Sequence, residues 1–193
     1  RQDSMTLAIG HMEGDKVFLD KIEEAKSPFD PAKVVEEFAG IMKMFGIREV
    51  VTDRFGGVWV EAVFAKNGIR TTMSEISASD IYLEFLPLVT MGKVELLKNE
   101  RLLLQFQMLE RRTQPGGLDK VNHPDGSHED MANSAAGVCV FLNRDRPKTM
   151  AEMEKYLPIK GEHRSPYHAA DKQRQSAEEE LRKFIGGSRI IRQ

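Results

Sequence analysis

Acidic residues that could bind a metal occur at two distant places in the chain. Glu129 and Asp130 open a predicted helix behind a Gly- and Asp-containing loop, and Asp53 ends the short apolar run 49–52. Carboxylate oxygens suit Mg²⁺ or Mn²⁺, which commonly bridge to substrate phosphates. A site that brings Asp53 and Asp130 together around two such ions could hydrolyse phosphodiester bonds.

The helix that begins at Asp130 is expected to lie close to a sheet. Three small residues keep it slim: Ala132, Ala135 and Ala136. A slim helix could bring Asp130 to the end of the strand that carries Asp53. The helix dipole also favours acids in a first turn, so Glu129 and Asp130 could be only helix-start charges. The residues alone leave both interpretations open.

The segments before Asp53 predict a hairpin, a helix and a strand. Residues 5–26 alternate as an antiparallel hairpin with a turn at 13–15. A helix follows, with Asp30 as N-cap, Pro31 in its first position and Gly46 after its end. The run 49–53 is typical of a buried parallel strand, and open α/β sheets place ligands at the carboxyl ends of such strands.

The rest of the chain continues an α/β alternation. Helices are predicted at about 58–66, 78–89, 100–112 and 129–143, with strands at 69–72 and 94–97 and a Gly-, Pro- and Asp-rich loop at 114–128. These patterns predict a mixed sheet flanked by helices in residues 1–143. Residues 144–193 are polar and predict a tail of peripheral helices.

Composition excludes several classes of protein. The 193 residues are 40% hydrophobic and carry a net charge of −2, which neither indicates nor excludes nucleic-acid binding. The single cysteine, Cys139, lies in an apolar run, which excludes a disulfide framework and a cysteine zinc site within one chain. No apolar stretch is long enough to cross a membrane, and no signal segment is evident, so a cytoplasmic location is expected.

Residues 3–142 resemble the nuclease domain of tailed-phage and prophage large terminase subunits. Three blocks carry the resemblance: residues 3–11 (DSMTLAIGH), residues 52–59 (TDRFGGVW), and His123-Pro124 with residues 128–133 (HEDMAN). Their order and spacing matter more than any one block. The resemblance implies an RNase H-like fold and a Mg²⁺- or Mn²⁺-dependent endonuclease that cuts concatemeric viral double-stranded DNA.

In that family, three acidic positions hold the two ions. Asp53 matches the second position and Asp130 the third, and Glu129 stands where the family often has another acid. The first position has no match, and the resemblance places it on a strand before Arg1, so residues 1–193 alone are expected to cut DNA poorly. Asp3 is a weaker candidate ligand, because a role in a turn explains it as well.

Other residues near these blocks are candidates for auxiliary roles. Arg111, Arg112 and Lys120 could contact the DNA backbone through charge, although a solvated helix end explains the arginines almost as well. His123 and His128 could position water or contact a phosphate, and they could equally cap or close the loop.

The resemblance also suggests partners. It implies an ATPase domain in the same parent protein, with the portal and the small terminase subunit as further partners. The sequence has no G-x-x-x-x-G-K-[ST] phosphate loop, so no ATP hydrolysis is expected from these residues. Two alternatives stay open: a non-catalytic DNA-binding or packaging module, and another RNase H-like enzyme such as a transposase or resolvase, which fits the carboxylates but not the block at 123–133.

Overall fold

A computed structural model describes residues 4–53, 57–124 and 128–145. Asp3 and nearly all of the predicted tail, residues 146–193, lie outside them. The elements in chain order are β1 (Met5–Glu13), β2 (Lys16–Ala25), α1 (Pro31–Met44), β3 (Glu49–Thr52), α2 (Gly57–Lys66), β4 (Arg70–Met73), α3 (Ala78–Thr90), β5 (Val94–Glu95), α4 (Glu100–Gln107), β6 (Glu110–Thr113), β7 (Asp119–Asn122) and α5 (Asp130–Arg144). The α/β class is confirmed.

The predicted N-terminal hairpin is confirmed and supplies two of the three described strands of a mixed sheet. β1 pairs antiparallel with β2, and β2 pairs parallel with β5. The register shifts between Ile9 and Gly10. A Cβ atom at Gly10 would lie 2.6 Å from the Phe18 carbonyl oxygen, so this close approach of the two strands requires glycine.

Helix α1 begins and ends as the sequence predicts. The Asp30 side chain accepts a hydrogen bond from the Ala32 N–H at 3.0 Å, and Pro31 is the first helical residue. Gly46, with φ of 72°, follows the end of the helix in the left-handed region that favours glycine. The two signals together fix the helix length.

Strand β3 pairs parallel with β4, as predicted, but it is not buried. Glu49 and Val51 are exposed, Val51 by 42%. The reason is that β3 has a partner on one edge only within the described residues, and the face that carries Glu49, Val51, Arg70 and Thr72 is uncovered there. The apolar run therefore predicted the strand and its direction correctly and its burial wrongly.

The helix predicted to reach residue 112 ends at Gln107, and the segment that follows forms a second hairpin. β6 pairs antiparallel with β7, with Arg112 opposite Lys120. Gly116 and Gly117 have φ values of 102° and 81°, so the turn between the strands uses backbone conformations that other residues rarely adopt. Two glycines between short polar segments are a hairpin signal that outweighed the helical propensity of residues 110–112.

Two apolar cores lie on opposite sides of the first sheet. Val17 and Leu19 of β2 pack with α3, α4 and α5 in one core, which contains the fully buried Cys139. Leu7 and Ile9 of β1 pack in the other core, with α1, α2 and residues of the β3–β4 region. Burial also raises the pKa of the Cys139 thiol well above its usual value.

No described helix is long and apolar enough to cross a membrane.

Candidate functional site

The Asp130 carboxylate is held against the start of β1. The Ser4 backbone N–H and hydroxyl both donate to Asp130 Oδ2, at 3.3 and 2.7 Å, and the Thr6 hydroxyl donates to the Asp130 carbonyl at 3.1 Å. The slim helix lies close to a sheet, as predicted, and the strands that it contacts are those of the β1–β2 hairpin; three of its alanines are fully buried: Ala132, Ala135 and Ala136. Asp130 is therefore fixed between a helix start and a strand start.

A second carboxylate, that of Glu24, also contacts the Ser4 hydroxyl. Its Oε1 lies 3.0 Å from Ser4 Oγ, and Arg101 donates to it at 2.8 Å. Burial alone would raise the pKa of Glu24, but the hydrogen bonds from Arg101 and Ser4 outweigh it and lower the pKa. Ser4 has one hydroxyl proton for two carboxylates, so it donates to only one at a time. No sequence pattern indicated that Ser4 meets Asp130, because the two residues are 126 positions apart.

Glu129 faces different neighbours from those of Asp130. It is partly buried beside Tyr82 and His123, and its Oε2 and the Tyr82 hydroxyl are buried atoms without a partner in good hydrogen-bond geometry among the described residues. Burial raises the pKa of the Glu129 carboxyl, His123 and Tyr82 oppose the shift, and Asp130 adds to it. Burial, together with the nearby negative charge of Glu129 and Asp130, also holds the pKa of Tyr82 well above its usual value. The role of Glu129 as a metal ligand stays a prediction.

Asp53 lies directly after the last residue of β3 and is exposed. The hydrogen-bonded pairing of β3 with β4 ends just before Asp53, where the Ser74 N–H donates to the Thr52 carbonyl at 2.8 Å. Asp53 thus stands at the carboxyl end of a parallel strand, as predicted. Its approach to Asp130 remains a prediction. Across residues 4–53, 57–124 and 128–145, no three His, Cys, Asp or Glu side chains converge in a way that could hold a metal ion.

The donor chemistry of the predicted ligands fits Mg²⁺ or Mn²⁺. Asp53 and Asp130 offer carboxylate oxygens, which hard cations prefer, whereas the only thiol, Cys139, is buried in the core. The described residues therefore suit an oxygen-ligated ion better than a thiolate-ligated one.

The two histidines are differently placed. His123 is half-buried and its Nδ1 donates to the carbonyl of the next residue, Pro124, at 2.8 Å. Its ring is also close enough to Glu129 to lower the pKa of that carboxyl. His128 is exposed, directly before Glu129.

The predicted DNA contacts Arg111, Arg112 and Lys120 lie on the β6–β7 hairpin, not at a helix end, and all three are exposed. Arg111 is opposite Val121, which packs on the core and donates its N–H to Ser79 Oγ at 2.9 Å. Because side chains alternate along a strand, Arg112 and Lys120 share the other, outer face.

Both arginines have acidic neighbours. Arg111 Nε donates to Asp119 at 2.9 Å, and Arg112 Nε donates to Glu110 at 3.0 Å. Hydrogen bonds from Thr113 and then Arg111 lower the pKa of Asp119. Both guanidinium groups remain exposed to solvent, each with a carboxylate beside it that offsets part of its charge.

No protein-family model matches the sequence, and no curated protein matches it. Solved structures do match. The large terminase nuclease from thermophilic phage G20c shares 14% identity and a TM-score of 0.55, over 71% of this chain and 81% of that one. A structure of that nuclease with bound magnesium has a TM-score of 0.53 at 14% identity, over 73% and 82%. The large terminase nuclease domain of Thermus phage P74-26 has a TM-score of 0.50 at 16% identity, over 70% and 77%. At these identities the likeness establishes the fold: this chain has the RNase H-like α/β fold of the large terminase nucleases.

Proposed function

We propose that this chain is the divalent-metal-dependent endonuclease domain of a phage-type large terminase, which hydrolyses phosphodiester bonds in concatemeric double-stranded viral DNA. The observation that carries the proposal is the Asp130 carboxylate, held by Ser4 at the start of α5 on a fold whose solved neighbours include forms with bound magnesium and cobalt. The test is whether Mn²⁺-dependent cleavage of DNA requires both Asp53 and Asp130.

In this proposal, Asp53 and Asp130 are the catalytic metal ligands, with Glu129 as a further ligand. A pair of divalent ions, when bound, supplies an activated water and stabilises the leaving oxygen. Ser4 limits rotation of the Asp130 carboxylate through its two hydrogen bonds to Oδ2. His123 and His128 are auxiliary groups near the phosphate.

The proposal includes one further strand, between β1 and β3. Within the described residues, β1 pairs only with β2 and β3 only with β4, so each has an open edge. Leu7 of β1 and Val50 of β3 belong to the same apolar core as α1, which supports placing the two open edges beside each other. A strand antiparallel to β1 would end beside Ser4, where its last residues could supply the remaining catalytic carboxylate beside Asp53 and Asp130.

The outer face of the β6–β7 hairpin is proposed to contact the DNA backbone. The double variant Arg112→Ala/Lys120→Ala should bind duplex DNA more weakly, and the slope of log affinity against log salt should fall by up to about two, about one for each phosphate that the variant no longer neutralises. Binding is measured without divalent metal, so that cleavage does not interfere.

A matched control is the double variant Lys33→Ala/Lys43→Ala, which removes the same charge from two exposed positions on α1. Its salt slope should equal that of the parent chain. If both double variants show the same decrease in affinity and slope, net charge and not the hairpin determines DNA binding.

A second candidate function is a non-catalytic DNA-binding or packaging module. The observation that favours it is the lack of three converging metal-binding side chains in the described part of the chain. In either case the proposed partners are double-stranded DNA, an ATPase domain of the same parent protein, the portal and the small terminase subunit. Metal-dependent cleavage distinguishes the two functions.

A further inference from the structure

The first turn of α5 receives its cap from another helix. Glu129 occupies the N-cap position but makes no capping hydrogen bond with its side chain. Instead, the Gln105 Oε1 atom of α4 accepts a hydrogen bond from the Ala132 N–H at 2.9 Å. Ala132 is the third residue of α5, and an N-cap side chain normally accepts from the second or third N–H. Gln105 of α4 therefore makes the capping hydrogen bond that the N-cap side chain of α5 would usually make.

Packing alone does not explain a glutamine at this position. Gln105 is 5% exposed and lies among the apolar residues Leu102 and Phe106 on the buried face of α4. Burying an amide disfavours folding unless it is hydrogen-bonded, so an apolar side chain would suit the core better. The hydrogen bond from the Ala132 N–H gives the amide oxygen a partner, whereas Nε2 is buried without a hydrogen-bond partner among the described residues.

Helix α4, which carries Gln105, is itself held in place by a cap and by aromatic packing. The Asn99 side chain accepts from the Leu102 N–H at 3.0 Å and so caps α4. Phe106, next to Gln105, stacks on Phe85 of α3 with ring centroids 5.1 Å apart. The Gln105 side chain is therefore presented from a helix fixed at its start and on its buried face.

Asp130 lies in the turn that Gln105 caps. Ser4 holds the Asp130 side chain from β1, and Gln105 holds the backbone of the same turn from α4. We infer that Gln105 is the positioning residue that sets where the Asp130 carboxylate stands. The inference rests on the proposed function, in which Asp130 binds a metal ion.

The test compares Gln105→Met, which removes the acceptor and keeps a side chain of similar length, with Gln107→Met, an exposed position on the same helix. In the metal-free chain, amide exchange of Ala132 should be faster by about fivefold to tenfold in Gln105→Met. The Cys139 and Val140 amides, farther along α5, should be unchanged. Affinity for Mn²⁺, measured from free Mn²⁺ by electron paramagnetic resonance, should weaken by about tenfold or more. Gln107→Met should match the parent chain in both measurements.

Other results would separately overturn the cap, the positioning role of Gln105 or the proposed function. Parental exchange at Ala132 in Gln105→Met would overturn the cap, and faster exchange with parental Mn²⁺ affinity would overturn the positioning role. Gln105→Glu keeps an oxygen acceptor and should keep Ala132 exchange slow; equally fast exchange in this variant, with the Cys139 and Val140 amides unchanged, would also overturn the cap. If Asp130→Asn binds Mn²⁺ as the parent does, the proposed function fails, whatever the exchange data show.

Discussion

Plasmid DNA should be cut rapidly in Mn²⁺ only when Asp53 and Asp130 are both present and the strand proposed between β1 and β3 has been supplied. Without that strand the chain should nick it slowly, because a misplacement of even about 1 Å among reacting groups can reduce a rate about a hundredfold. A chain extended to include that strand should cut with little sequence preference, since phosphate contacts carry no base information. The measurement is the rate at which supercoiled plasmid becomes nicked or linear.

Asp53→Asn or Asp130→Asn in the extended chain should reduce that rate by at least about a hundredfold. Asp15→Asn is the matched control, because Asp15 is an exposed carboxylate in the β1–β2 turn. Rapid cutting without that strand would mean that Asp3 or Glu129 takes the place of its carboxylate. Continued inactivity of the extended chain would favour the non-catalytic module.

Mn²⁺ should raise the melting temperature of the parent chain, because an ion that binds only the folded state stabilises it. At about 100 times the dissociation constant the gain is about 2.7 kcal/mol, which corresponds to a rise of about 5–10 °C for a chain of this size. Asp53→Asn and Asp130→Asn should each lose most of that rise. Differential scanning calorimetry with and without Mn²⁺ measures it.

The metal-free melting temperature separates ligand loss from damage to the fold. Asparagine keeps one side-chain oxygen that can accept from Ser4, so Asp130→Asn should melt close to the parent without metal. Asp15→Asn should keep the full response to Mn²⁺. If both site variants respond to Mn²⁺ as the parent does, Asp53 and Asp130 are not the ligands.

Elements whose signals are local could be predicted from the sequence. Asp30 and Gly46 mark the ends of α1, and the alternation in residues 5–26 indicates the hairpin, because caps, turns and periodicity depend on neighbours within a few residues. The position of Asp53 at a strand end and of Asp130 at a helix start follows from the same kind of pattern.

Features that depend on distant partners could not be predicted. The exposure of Val51 depends on what packs against its face of the β3–β4 pair, and no local pattern contains that information. Ser4, Glu24 and Gln105 stand in no recognisable motif, and their roles arise only when β1, β2 and α4 meet the start of α5. For β6 the local pattern was ambiguous, because residues 110–112 suit a helix as well as a strand.

The central claim is that Asp53 and Asp130 share a metal site, and paramagnetic broadening by Mn²⁺ tests it most directly. Substoichiometric Mn²⁺ should broaden the amide NMR signals of Asp53 and Asp130 together, at the same metal concentration, and leave Gly14, in the turn at the far end of β1 from Ser4, sharp. Asp53→Asn should weaken the broadening at Asp130 as well as at position 53. Broadening at Asp130 while the Asp53 signal stays sharp at every Mn²⁺ concentration would contradict the shared site.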